Sequence, residues 1–218
     1  MVTHAGRKEA DDSAVHRRII RTAEELFKKS GFRGVTMEAV ARDAAVSKAT
    51  LYNRFRNKDE LFLAVCSRMA DLTSRAFGDA LAAQGQAVDQ RALSAVLAKH
   101  RLTFTLVRTS PHAEDLFTHK AQLAGDLFER ADNALLAQLA AVLAEDSALQ
   151  PSAPQLARAL LLASGELAAR STTITELESE LGAFVTVHRA GARALARTRR
   201  QRQTGGRHDH PGQQADRG

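Results

Sequence analysis

Apolar residues recur at helical spacing along most of this chain, and short polar clusters punctuate them. Val15, Ile19, Ala23, Leu26 and Phe27 mark a first helix. One of Asp11, Asp12 or Ser13 caps it, and Gly31 stops it just after Lys28 and Lys29. Thr36 and Ser47 sit where N-caps belong, ahead of two short helices over about 37–44 and 48–55. Asn57 has Glu60 three residues on, the spacing of a capping box, and opens a fourth helix reaching about residue 83. Its apolar positions are Leu61, Val65, Met69, Leu72 and Ala76. Caps this close together force short helices with sharp corners.

Beyond Gly85 the same period continues. Leu93, Leu97, His100, Phe104 and Val107 share one face until Ser110-Pro111, because a residue before proline avoids the helical region. Residues 112–145 carry Leu116, Leu123, Leu127, Ala131, Leu135, Leu139 and Val142, one long helix or two. After the loop at Pro151 and Pro154, Leu156, Leu160, Ala163 and Leu167 predict a helix over about 154–171. Thr175 with Glu178 has capping-box spacing for a last helix bearing Leu177, Leu181, Phe184, His188, Ala192 and Leu195. No stretch reads as strand, repeat or long heptad run, so the fold class is all-α. Residues 1–12 read as a flexible N-terminal arm. Residues from about 199 read as a disordered basic tail, with too little apolar surface to offset chain entropy.

Charge sharpens this picture. Residues 1–66 carry 13 Lys/Arg against 9 Asp/Glu, residues 67–195 carry 12 against 14, and residues 196–218 carry 6 against 2. A basic head on a mildly acidic body suits a head that meets phosphate. The single cysteine, Cys66, excludes an intramolecular disulfide and falls in an apolar pattern. MVTHAGRKEADD has no apolar core of a signal peptide, and no apolar run is long enough to span a membrane, so a cytoplasmic protein is expected. His112, His119 and Arg108 do not make a metal constellation, and His208-Asp209-His210 lies in the tail. Neither a metal nor a cofactor is expected.

The two short helices at 37–44 and 48–55 form a helix-turn-helix, whose second member presents its first residues to the major groove. Positions 48, 49, 52 and 53 fall on one face. Lys48 can donate to guanine, Asn53 can pair with adenine, and Ala49 can touch a thymine methyl. Thr50 and Tyr52 carry hydroxyls suited to phosphate, with Ser47 at the start of the same helix. Lys58, in the first turn of the fourth helix, and Thr36, at the start of the second, are further phosphate contacts. Arg17, Arg18, Arg54 and Arg56 read as surface charge that can also reach the flanking backbone.

Residues 19–66 resemble the tetracycline-repressor (TetR) family of bacterial transcription regulators. The resemblance is carried by Ala23, Leu26, Phe27, Gly31-Phe32, Thr36, Val40-Ala41, the block Val46 to Tyr52, Phe55 and the block Asn57 to Leu61. Two positions depart from it: Ala45 stands where the family usually has glycine at the turn, and Ala49 where it often has glycine. The resemblance implies a DNA-binding domain over 13–60 and a helical effector-binding and dimerisation domain over 61–198. It further implies a homodimer paired through the helices near 154–171 and 175–198, acting on double-stranded DNA at a palindrome. An unidentified small molecule would release it. Candidate pocket residues are His100, Arg101, Phe104, Arg108, Phe117, His119 and Phe128.

The implied function is a ligand-released repressor. The alternatives are a TetR-like activator or effector-independent regulator, or a nonspecific helical DNA-binding protein. An enzyme is not expected: the chain has no Gly-rich phosphate loop, G-x-S-x-G elbow or H-E-x-x-H pair.

Overall fold

The computed structural model describes residues 4–104 and 110–205. Eight α-helices follow one another among them: α1 His4–Gly34, α2 Met37–Asp43, α3 Lys48–Tyr52, α4 Lys58–Leu81, α5 Val88–Thr103, α6 Ala113–Leu143, α7 Ala153–Arg170 and α8 Ile174–Gly205. The fold is all-α, a helix-turn-helix head followed by a helical body.

The head is built on three caps placed where the sequence puts them. Thr36 accepts from the Ala39 amide at 3.2 Å, Ser47 from Thr50 at 3.0 Å and Asn57 from Glu60 at 2.9 Å. Each cap of this kind contributes about 1 kcal/mol. The Glu60 carboxylate reaches back to the Arg56 amide at 2.7 Å, one residue beyond a capping box's usual partner. Ile19, Phe27, Val40, Leu51 and Leu61 are fully buried between these helices. Gly31 breaks the end of α1 with φ 69, as expected of the stop residue. A Cβ there would lie 2.8 Å from the Asp115 carboxylate, so position 31 needs glycine for space as well as for backbone.

A second core fills the body, with Phe77, Val96, Leu135, Leu139, Leu177 and Leu181 at its centre. Two helices belong to both cores. α4 gives Leu61, Phe62, Val65 and Cys66 to the head and Phe77 and Leu81 to the body. α6 gives Leu116 and Ala124 to the head and Leu135, Leu139 and Leu143 to the body. It changes direction at Ala124, whose φ of −124 and ψ of 15 leave the helical region. The 112–145 stretch is therefore one helix with a break.

Three boundaries differ from the sequence expectation. α1 starts at His4, before the expected cap, so most of the predicted flexible arm is helical. Ala, Arg, Lys and Glu in residues 5–10 are good helix formers. Asp12 pairs with Arg54 rather than capping. α8 begins two residues earlier than Thr175 implies. Its box is made by Thr173, which accepts from the Glu176 amide at 3.2 Å, and by Glu176, which accepts from the Thr172 amide at 2.7 Å. Glu178, freed from capping, pairs with Arg101. α8 also continues to Gly205, past the expected start of the tail, whose remaining residues lie outside those described.

Ala45, in the turn between α2 and α3, is left-handed with φ 51, and it is exposed. A side chain there is strained by about 1 kcal/mol, and no packing offsets it. Ala45→Gly should therefore stabilise the protein by about 1 kcal/mol in urea unfolding. A variant no more stable than the parent would show that the turn carries no such strain.

Candidate nucleic-acid interface and body cavity

The short helix α3 turns Leu51 fully inward, where it anchors the helix to the head core. Lys48, Ala49, Tyr52 and Asn53 are thereby left exposed on one face, as their spacing predicts. Tyr52 keeps 44% of its surface open, although it is a large ring beside a core. Ser47 and Thr50 join hydroxyls at 2.8 Å and cap the helix start. The Lys48 ammonium lies 3.3 Å from Glu38 on α2. The Glu38 carboxyl is held below the usual range by its own backbone hydrogen bond first and by Lys48 second. An exposed pair of this kind is weak, so Lys48 can leave it for a base edge at little cost.

Lys58, expected as a phosphate contact, also has partners inside the protein. Its ammonium turns into the protein and donates to Phe32 O at 2.9 Å and Val35 O at 3.0 Å, lying 4.5 Å from the Phe32 ring centre. It ties the start of α4 to the α1–α2 corner. Arg18 does similar work, donating to Ala44 O at the end of α2. Arg17 and Arg56 are exposed. Thr36 is exposed but occupied as a cap.

Between the two cores lies a cavity of about 770 Å³. It exists because the helices around it present small residues there: Ala70, Thr73 and Ser74 on α4, Ala131 on α6, and Gly165 and Ala168 on α7. Of the candidate pocket residues, His100, Phe104, Phe117 and Phe128 line it. Arg101 does not, since it is exposed and paired with Glu178. His119 does not either; its ring stacks on Phe32 at 4.1 Å, in the seam between head and body. Arg108 lies outside the described residues.

His100 is buried, and its Nε2 meets Ser164 Oγ at 3.0 Å. The one Ser164 hydroxyl proton goes to Leu161 O at 2.8 Å, so Nε2 is the protonated nitrogen and Nδ1 is an acceptor. Burial first, then Lys99, pushes the His100 pKa down to about 4, so the ring is neutral at physiological pH. Lys120, Lys99 and Asp132 also line the cavity and were missed from sequence. The signal for Lys120 was available: it follows Leu116 by four residues on the apolar face of α6, where a charge is out of place. Among the described residues no group of three side chains could hold a metal, and no helix is long and apolar enough to cross a membrane.

Residues 19–65 match the family described as bacterial regulatory proteins, tetR family. The chain carries a TetR-family DNA-binding head. Its match to the uncharacterized HTH-type transcriptional regulator YerO of Bacillus subtilis is 39% identical over 49 residues, 22% of this chain and 17% of that protein. Its match to the HTH-type transcriptional regulator RutR of Escherichia coli is 28% identical over 151 residues, 68% of this chain and 66% of the relative. The chain thus spans less than a quarter of the length of the first relatives it matches. A TetR-like transcriptional regulator from Rhodococcus superposes with a TM-score of 0.59 over 81% of this chain and 96% of its own, at 22% identity. At that identity the likeness is one of fold, and it extends the TetR architecture over the body.

For this TetR-family head the exposed face of α3 and the half-buried, inward-turned Lys58 predict different outcomes. Tyr52→Phe should leave stability within about 0.5 kcal/mol of the parent while weakening DNA binding. Lys58→Met should cost about 1–3 kcal/mol in urea unfolding, because it leaves two carbonyls without their donor. A Lys58→Met protein of parental stability would return Lys58 to a purely DNA-facing role.

His100 makes stability depend on pH. Its folded pKa lies below the ordinary 6.5, so the unfolded chain binds the proton more readily. The stabilising contribution is complete above about pH 6.5 and is lost as pH falls toward 4. The loss is on the order of 3 kcal/mol. Thermal unfolding of the parent and His100→Gln across this range should show the parent falling more steeply. Parallel curves would mean that His100 does not titrate on unfolding.

Proposed function

We propose that this protein represses transcription as a homodimer on a palindromic operator and leaves it when a small molecule fills the body cavity. The observation that carries the proposal is the face of α3, where Lys48, Ala49, Tyr52 and Asn53 stand open on a helix whose opposite side is locked into the core by Leu51. Such a face is complementary to a major groove and too small to select a site alone, so two copies are needed.

The outer sides of α7 and α8 support the dimer. Leu162 and Val187 are 65% and 68% exposed, the most open large apolar side chains among the described residues. Beside them Gly191 leaves free space at the position of a Cβ, and Ala183 and Ala194 are exposed. Small residues beside exposed apolar ones let helices of two copies approach closely. Release is supported by where the cavity lies. Its walls include α4 and α6, and both helices also carry head-core residues. A ligand that prefers one disposition of these helices shifts the spacing of the two heads, and the operator prefers another.

Selection of binding sites from random duplexes by the full chain at physiological salt tests the proposal. One palindrome should be enriched, and binding to it should survive competitor DNA. Val187→Arg should shift the chain to monomer in sedimentation and weaken palindrome binding by roughly tenfold or more. Enrichment of no motif would favour a nonspecific DNA-binding protein. Enrichment with a monomeric parent chain would remove the dimer.

A further inference from the structure

We infer that the body cavity takes an amphipathic monocarboxylate, its carboxylate set against the Lys120 ammonium and its apolar body against Phe104, Phe117 and Phe128. The inference rests on the cavity being the effector site and adds the chemistry of the effector. A cavity of about 770 Å³ is of the size that holds a drug-sized molecule.

The charges around the cavity select the sign of the ligand. α4 and α7 line it with no ionised side chain, only Ala70, Thr73, Ser74, Gly165, Ala168 and Ala169. On α5, His100 is neutral, and Lys99 is matched by Asp132 of α6 at 2.7 Å. Glu114, on the first turn of α6, lines the cavity but is exposed, at its edge. Lys120 remains. Its ammonium lies 3.7 Å above the Phe128 ring, and among the described residues it has no carboxylate or carbonyl partner at hydrogen-bond distance. Burial pushes its pKa down, and Asp132 opposes that only in part. A half-buried ammonium held by a ring face alone is under-solvated, and a carboxylate restores the strong partner it lacks.

The same inventory argues against other charge types. A phosphate dianion needs more than one free cation, and among the described lining residues Lys99 is already paired. A cationic ligand would meet Lys120, while of the two lining carboxylates Asp132 is held by Lys99 and Glu114 stands at the exposed edge. A neutral apolar ligand would fit the rings and leave the ammonium as it stands. The carboxylate also reports its presence to the head. Lys120 stands on α6 next to His119, which stacks on Phe32, and one turn after Asp115, which accepts from the Phe32 amide at 2.7 Å.

The test is calorimetric titration of the full chain, without DNA, with probes matched in shape and differing in charge. Octanoate, 1-octanol and octyltrimethylammonium make one set, and 2-naphthoate and 2-naphthol the other. The carboxylates should bind roughly tenfold or more tightly than their neutral and cationic counterparts. Lys120→Met keeps the apolar stem and should bring carboxylate and alcohol to equal affinity, while Lys120→Arg should retain the preference. Ser74→Phe fills the cavity and should abolish binding of every probe. Equal binding of alcohol and carboxylate by the parent would overturn the inference, as would a preference that survives in Lys120→Met. So would the absence of any binding up to about 1 mM. Operator binding is followed separately. Carboxylate binding that leaves operator affinity unchanged removes the release mechanism and keeps the ligand class. Release by a non-carboxylate alone does the reverse.

Discussion

The amide of Phe32 donates to the Asp115 carboxylate at 2.7 Å, and its carbonyl receives the Lys58 ammonium at 2.9 Å. These contacts join three parts of the chain at one residue: the corner after α1, the start of α4 and the start of α6. The Phe32 ring completes the junction, stacked on His119 at 4.1 Å and packed edge-on against Phe62 at 5.2 Å. Backbone groups buried in a seam need partners, and here both partners are charged. Ser110 adds a third tie by donating to Lys28 O at 2.6 Å. Remove the junction, and the head would keep its own core but lose its fixed orientation on the body.

The continuity of α4 and α6 turns that junction into a lever. Each helix is gripped by two cores, and the cavity occupies the gap where neither core reaches. On α4 the grip relaxes over Ala70, Thr73 and Ser74, between Cys66 and Phe77. On α6 the break at Ala124 separates the stretch holding Asp115 and His119 from the stretch packed in the body. A void flanked by two tight cores is a place where an occupant changes helix positions at low energetic cost, because close-packed interiors do not deform smoothly.

The head was legible because its signals are local. Thr36, Ser47 and Asn57 each announce a helix start by residue type and spacing, and each accepts the amide predicted for it. The face of α3 followed from which residue, Leu51, had to be inside. What the sequence left unread depends on distant partners. The internal partners of Lys58 were not legible, because the α1–α2 corner that supplies their carbonyls lies more than twenty residues away. His119 and Arg101 carried pocket-like chemistry, but the packing of α6 on α1 and of α5 on α8 took them elsewhere. Thr173 and Thr175 compete for one cap, and spacing alone does not choose between them. The cavity was hardest to see, since it is defined by small residues on three helices that are unremarkable one at a time.

Tyr52 has a spectroscopic consequence. The chain has one tyrosine and no tryptophan, and that tyrosine stands exposed in the middle of the α3 face. Its tyrosine emission therefore comes from the α3 face alone, with no indole elsewhere to absorb or outshine it. The protein carries an intrinsic optical reporter on the face proposed to meet DNA, and occupancy there can be followed without attaching a dye.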